Sequence, residues 1–370
     1  MSLHLDASRK FGDSERRVLS LLQGLVRRGH SVLLCGPRTS ALHREARHHG
    51  IPCEPLTLRS GLDFPSVVRL ARLVRSQAFD LVHAHDATSH RIAMAAQELS
   101  GDRALEENLF VTHRSFPDER GAGENPAYGT ARVHHIVTSR PLRDALVQRG
   151  ADPTHVAIVP DGVDLQSLRA ASADGDDPWK LRERGRRVVG TTGRWTRERE
   201  MDLLLQAFRL VHRRLPETHL LVAGERPPAV TLERRLRELG ITDAVTWTGS
   251  LEDRSRLHGT LDVFIVPLDQ TVAPTRLLEA MAAGTPVVTA ALPTVMALVR
   301  HGTSALVVPP RDAQALAQSV TLVLEQPDLA ARLVQGATAV AEQYSVDRMV
   351  DATLQAYRAL GRPETAPPKP

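Results

Sequence analysis

The sequence predicts an α/β protein made of two Rossmann-like domains, each a doubly wound parallel sheet, facing each other across a cleft. Short apolar runs alternate with segments of helical periodicity along nearly the whole chain, the pattern left by parallel strands joined through helical crossovers. The alternation halts over residues 161–186 and then restarts. A length of 370 residues also exceeds what one hydrophobic core usually holds, so two domains of about 150–200 residues each are expected.

In the first half, the run LHLD from Leu3 is followed by a helix over about Ser14–Arg28, the strand SVLLCG, a helix near Ala41–His49 and the strand PCEPL. A helix over Ser66–Arg75, a strand over Leu81–His85 and a helix over Ser89–Leu99 continue the pattern. Strands at Leu109–His113 and His135–Thr138, a helix at Pro141–Arg149 and a closing strand at Val156–Val159 complete a domain of residues 1–160. Residues 161–186, where Ala, Ser, Asp and Gly cluster around DGDD, read as an interdomain linker. The second domain, 187–343, runs through a strand at Val188–Thr192, a helix at Met201–Arg213, the strand HLLVAG and a helix at Thr231–Leu239. Strands at Val245–Trp247 and Leu261–Val266 lead to a helix from Pro274 and a strand at Pro286–Thr289. Ala305–Val308 is the last strand, and helices at Asp312–Glu325 and Leu329–Glu342 follow. A final helix lies within 344–362, and the tail 363–370 is expected to be disordered.

Composition narrows the function. Apolar content of 42% is that of a soluble globular protein. No window reaches the roughly 20 apolar residues of a membrane span, and Met1–Arg9 has no signal-peptide core, so a cytoplasmic location is expected. Cys35 and Cys53 read as small buried hydrophobes. A net charge of +4 permits contact with anionic lipid or phosphate. The basic residues are scattered arginines without a block or interleaved aromatics, which argues against nucleic-acid binding.

The stretch Pro274–Thr289, PTRLLEAMAAGTPVVT, carries the most functional information. Pro274 suits a first helical turn because its missing N–H is not needed there. Thr275 and Arg276 fill that turn, Leu277, Leu278, Ala280 and Met281 form an apolar face, and Gly284 ends the helix just before a short strand. Such a helix lies beside a parallel sheet with its N-terminus at the carboxyl edge, where nucleotides bind. Its free amides suit a diphosphate, and Glu279, little more than a turn further on, suits the ribose hydroxyls.

This segment resembles the nucleotide-sugar site of the retaining glycosyltransferases of family 4, which have the GT-B fold. The resemblance spans nearly the whole chain. VPDGVD at Val159–Asp164 looks like an interdomain signature that the family usually writes with Asn at position 161. GRWTRERE at Gly193–Glu200 stands where the family has Gly-Arg, four residues and Lys-Gly. VTWTGS and HGTSALVVPPRDAQALA also fit, in the right order. The resemblance implies transfer of a sugar from a nucleoside diphosphate sugar held by the second domain to an acceptor held by the first. That acceptor is expected to be a glycan or glycolipid of the cell envelope, and neither cofactor nor metal is expected. It also implies that the last helix returns to the first domain.

Such transfer develops negative charge on the departing diphosphate, so the site must stabilise an anion. By resemblance Arg194 and Arg199 meet the diphosphate, Arg199 replacing the usual Lys, with Arg276 assisting them. The family's first glutamate of a pair is replaced by Thr271, near Asp269. Thr275, Leu277 and Leu278 complete the donor contacts around Glu279, and His113 faces the donor sugar. Of the glycines that approach the phosphate before the first helix only Gly12 remains; Asp13 and Ser14 serve as N-caps on the acceptor side. Arg114 and the segment 116–128 form an acceptor loop.

Other patterns are weaker. His83 and His85 share one face of a strand beside Asp86, but no third ligand at telling spacing accompanies them, and the Asp-x-Asp of DGDD lies in the linker. SVVRLARLVRS is either a helix lying on an anionic membrane or an ordinary helix covering a sheet. The departures at Thr271, Arg199 and Gly12–Ser14 leave a second reading in place, a scaffold of this fold that has lost turnover.

Overall fold

The computed structural model describes residues 1–59, 63–114, 133–174, 177–194, 198–251, 254–266 and 274–361. Thr271, Asp269, the segment 116–128 and the tail 363–370 lie outside them. The chain forms two compact units, Met1–Gly162 together with residues from Val346 onward, and Val163–Ser345.

In the first unit the order is β1 (Ser2–Leu5), α1 (Asp13–Arg27), β2 (Val32–Gly36), α2 (Ala41–His48), β3 (Cys53–Pro55), α3 (Phe64–Ser76) and β4 (Leu81–Ala84). It continues with α4 (Ala87–Ser100), α5 (Arg103–Glu107), β5 (Leu109–His113), β6 (Val133–Val137), α6 (Arg140–Gln148) and β7 (Val156–Ile158). The second unit contains α7 (Leu165–Asp174), β8 (Arg187–Arg194), α8 (Glu198–Arg214), β9 (Thr218–Glu225), α9 (Ala229–Leu239), β10 (Val245–Gly249) and α10 (Ser255–Thr260). It goes on through β11 (Val263–Ile265), α11 (Pro274–Ala282), β12 (Val287–Ala290), α12 (Pro293–Met296), β13 (Leu306–Val308), α13 (Ala313–Glu325) and α14 (Pro327–Ala341). The last helix, α15 (Val346–Leu360), belongs to the first unit.

Both sheets are parallel. Their orders are β3-β2-β1-β4-β5-β6-β7 and β10-β9-β8-β11-β12-β13. In each, the strand order reverses between the unit's first and fourth strands, and that switch point opens a crevice at the carboxyl ends. The near-continuous apolar runs of the sequence become strands buried on both faces. On one face of the first sheet Leu3, Leu5, Val82 and Val111 pack with α3 and α4. On the other, Leu34, Phe110 and Ile136 pack with α1 and α15.

Helices α1 and α15 approach closely because residue 24 is glycine, where a Cβ would lie 2.4 Å from Val350 Cγ2. Arg28 at the end of α1 donates to Asp351 at 2.8 Å and to Asp347 at 3.2 Å on α15. The sheet face beneath these helices holds a polar layer. His83 Nδ1 and the Tyr357 hydroxyl are 2.6 Å apart, and His83 Nε2 and Thr112 Oγ1 are 2.7 Å apart. His4 bridges Ser2 Oγ at 2.9 Å and His85 Nε2 at 3.0 Å.

The reading of residues 161–186 as a linker needs correction. The stretch read as linker contains α7, which packs against α10 and α11; Ser172 Oγ donates to the Ala283 carbonyl at 2.7 Å, and Gly259 lies against the Ala171 backbone. The Ala and Ser residues there are small because helices meet closely. Of the two readings of SVVRLARLVRS the structure has the helix covering a sheet: α3 turns Val67, Leu70, Ala71 and Val74 into the core and its arginines outward. Finally, α5, α10 and α12 are too short to show a period in sequence. No helix among the described residues is long and apolar enough to cross a membrane.

The buried histidines make the first unit acid-sensitive. Burial pushes His4 down to about 3 and His90 to about 4, and holds His83, His85 and His113 well below the usual imidazole range. Each is neutral when folded but takes up a proton in the unfolded chain below its ordinary value of 6.5. Their contribution is therefore full above that value and declines by about 1.4 kcal/mol per pH unit per histidine as pH falls. Asp6, raised from 3.8 to about 7, runs the other way and offsets one of them. Thermal unfolding followed by circular dichroism should show a steep loss of stability between pH 6.5 and about pH 5. A melting temperature constant over that interval would refute this reading.

Candidate active site

In the second unit α11 connects the carboxyl end of β11 to the start of β12, so its first turn stands at the ligand edge of the sheet, next to the β8–β11 switch point. Thr275, in that turn, is buried, and among the described residues its Oγ1 has no hydrogen-bond partner. The side chains of Leu277 and Leu278 are fully buried in the apolar core, which leaves backbone as what these positions can offer a donor. They anchor the helix, and what the first turn offers an anion is backbone at Thr275 and Arg276. The backbone of Arg194 ends β8 opposite Glu225 of β9, and that of Arg199 lies in the first turn of α8. Beside them Gly224 has φ +126°, and a Cβ there would stand 2.0 Å from the Gly193 carbonyl oxygen, so the two strand ends converge because residue 224 lacks a side chain.

Glu279 is held by a partner that the sequence did not suggest. Arg254, just before α10, donates from Nε to Oε2 at 2.8 Å and from Nη2 to Oε1 at 2.5 Å. Both side chains are only 14% exposed. The fork fixes the plane of the carboxylate. Each oxygen keeps a second lone pair, so a vicinal diol can donate to the carboxylate while Arg254 remains in place.

At the edge of the first unit, Gly12 rather than Asp13 or Ser14 is the N-cap of α1; both of those residues lie in the first turn. The Gly12 amide donates to Glu15 Oε2 at 2.7 Å, completing the cap from the third helical position. Asp161, where the family usually has Asn, joins two cations: Arg17 Nε lies 2.7 Å from Oδ1, and Arg114 Nη2 donates to Oδ2 at 2.5 Å. The Arg17 side chain is 2% exposed, and among the described residues Nη1 and Nη2 have no hydrogen-bond partner. Burial pulls its guanidinium below the ordinary range, Asp161 opposes that, and Arg114 adds to it. Arg114, expected on the acceptor side, is thus committed to Asp161.

His113 ends β5 with Nε2 3.1 Å from His135 Nδ1 and its ring edge-on to His90. Burial, reinforced by these two neighbours, keeps it neutral. Asp6, after β1, is a titratable group the sequence reading passed over; burial and then the Asp86 carboxylate raise it to about 7, near neutrality at the ligand edge.

The fold supplies a third histidine to the pair His83 and His85. With His4, from the adjacent strand, one ring nitrogen of each of the three lies within 4.8 Å of the others. Both nitrogens of His4 and of His83 already have hydrogen-bond partners, which accounts for the cluster as a packed polar layer. Asp86 is no ligand of it. Its Oδ1 accepts from the amides of Thr88 and Ser89 as the N-cap of α4, and Oδ2 accepts from Ala7 N and Ser89 Oγ.

Two parallel sheets of the doubly wound kind, each in its own unit, define a two-domain α/β class, and comparison with known proteins gives the family. Residues 14–167 match the profile described as Glycosyltransferase Family 4, and residues 175–340 the one described as Glycosyl transferases group 1. The chain is 30% identical over 326 residues to a D-inositol 3-phosphate glycosyltransferase of Salinispora tropica, covering 80% of this chain and 67% of the relative. It is 28% identical over 233 residues to a 2-deoxystreptamine glucosyltransferase of Streptomyces kanamyceticus, covering 61% and 60%. Its fold is similar to that of Anabaena HepE crystallised with UDP, with a TM-score of 0.79, 20% identity and coverage of 97% and 100%. The chain belongs to the family 4 glycosyltransferases and has the GT-B fold.

Removing the charge of Asp161 leaves two cations uncompensated, one of them fully enclosed. Asp161→Asn should cost about 3 kcal/mol in urea denaturation, and adding Arg17→Met should return a large part of that. A loss below about 0.5 kcal/mol for the single variant would show that the trio contributes no stability.

Proposed function

We propose that this chain is a retaining transferase that moves a sugar from a nucleoside diphosphate sugar to a hydroxyl of an acceptor. The observation that carries the proposal is the position of Glu279, one turn into a helix that starts at the switch point, with its carboxylate aimed by Arg254. In this reading the ribose diol donates to Glu279, and the diphosphate rests on the first-turn amides of α11, with the Thr275 hydroxyl donating to it. Arg194, Arg199 and Arg276 supply the positive charge that the departing diphosphate requires. His113, kept neutral, hydrogen-bonds the donor sugar without taking a full proton. Same-face attack lets a departing phosphate oxygen accept the acceptor's proton, so no protein base and no metal enters the step. A glycan or glycolipid of the cell envelope meets the requirement for an acceptor, as do cyclic polyols of the kind on which the named relatives act.

One observation favours the alternative of a catalytically weak scaffold. The Gly12 amide, which the family's glycine loop would offer to phosphate, is already bound to Glu15. The two readings separate on a panel of UDP-, GDP- and ADP-sugars, with the anomeric configuration of the product read by NMR. Turnover with retention, unchanged by EDTA and reduced at least about tenfold by Glu279→Ala, is the expected result. Arg254→Ala should raise KM for the donor more than it lowers kcat, because it loosens the aim of Glu279. Calorimetry that detects no nucleoside diphosphate binding would favour the scaffold.

A further inference from the structure

We propose that a hollow of about 380 Å³ at the carboxyl edge of β2 and β3, in the first unit, binds a phosphate monoester. Its rim carries Arg9, which follows β1, Arg38, which follows β2, Arg59, which follows β3, and Arg69 on α3, while Leu56 and Pro65 contribute to apolar walls. None of these residues is among those proposed above to hold the donor.

The charges around the hollow do not balance. Arg69 Nη2 donates to Glu54 Oε1 at 2.5 Å. The other acid beside it, Asp63, is turned inward as the N-cap of α3. It accepts from the Arg59 amide and Thr57 Oγ1 at 2.8 Å each, and from the Ser66 amide and hydroxyl at 3.3 and 2.8 Å. These bonds hold the Asp63 carboxyl down at about 2, so it remains an acceptor and cannot donate to an anion. Among the described residues no carboxylate forms an ion pair with the guanidinium of Arg9, Arg38 or Arg59. Four cations thus face one concavity against two carboxylates, a surplus of two.

Guanidinium groups gathered round a concave surface repel one another and raise the local potential for anions. Their planar forks match the oxygens of phosphate, and a monoester carries close to two charges at neutral pH, as many as the surplus. The hollow is of a size to hold the hydroxylated body of a small ester against its apolar walls. It also stands on the edge of the sheet at which α/β proteins take ligands. Placing this phosphate on the acceptor rests on the transferase reading above; binding of the monoester does not. Either a soluble ester or a lipid headgroup supplies such a phosphate.

The full-length chain should be titrated by calorimetry with glucose 6-phosphate and with glucose, and sedimented with phosphatidylcholine vesicles with and without phosphatidic acid. Binding of glucose 6-phosphate but not glucose, weakened by salt and by about tenfold for each of Arg38→Ala and Arg59→Ala, is expected. Sensitivity of vesicle binding to the same substitutions identifies a lipid headgroup as the source of the phosphate, whereas binding of the sugar phosphate alone identifies a soluble one. UDP is titrated into every variant. Unchanged UDP binding shows that the second unit is intact, and if even the unsubstituted chain ignores UDP, the donor reading fails while this one stands. Indifference of the unsubstituted chain to both phosphate probes, or equal binding by the doubly substituted chain, would overturn the proposal.

Discussion

Parallel pairing is the constraint from which the rest of this structure follows. Two parallel neighbours cannot be joined by a tight turn, so the chain must travel back along the sheet, and wherever the connection is described it does so as a helix. Each such helix begins at the edge where a strand has just ended and brings its unpaired amides to that edge. The groups that matter are gathered there by topology alone: Asp6 after β1, Gly12 before α1, Asp86 before α4, His113 and Arg114 at the end of β5, Asp161 after β7, Arg194 at the end of β8, and Thr275 in α11.

Because so much polarity is crowded at one edge of each sheet, four acids there are held by partners. Asp86 and Asp63 cap helices, Asp161 lies between Arg17 and Arg114, and Glu279 lies in the fork of Arg254. A buried carboxylate left alone would take up a proton, as Asp6 tends to do between Asp86 and Glu15. Pairing does not remove a carboxylate from chemistry. A fork uses one lone pair on each oxygen, so Glu279 is oriented rather than quenched, whereas Asp161 faces a cation from each side and is structural. The same local geometry therefore assigns different work to two acids that a sequence presents alike.

Local signals made most of the fold legible. Period and end residues placed nearly every strand and the long helices within a few residues, and the run from Pro274 to Thr289 disclosed both a helix start and the edge it faces. The Gly12 cap, with Glu15 three residues on, is also present in the sequence, as is Asp86 ahead of Thr88 and Ser89, and both are helix caps. What could not be read are pairings between distant positions. Arg254 and Glu279 are 25 residues apart, Arg114 and Asp161 47, and His4 and His85 81. No periodicity encodes such contacts. They arise when the strand order places β1 beside β4, or when β11 sets α10 and α11 side by side.

The departures from the family's usual residues look different once their neighbours are known. Asp for Asn at 161 adds a negative charge to a buried place, which would be costly alone, but Arg17 and Arg114 meet it on either side. The substitution and the two arginines form one unit, and none of the three can be judged by itself. The glycine-poor loop before α1 follows the same logic in reverse. Once Glu15 occupies the Gly12 amide, that loop has one fewer donor for phosphate, and a first unit that binds anions needs other means. The arginines that follow β1, β2 and β3 are such a means, since side-chain cations on a concave edge replace backbone amides at a helix start. A chain that had merely lost its chemistry would be expected to scatter such charges; here the lost amide and the gathered guanidinium groups stand on the same sheet edge.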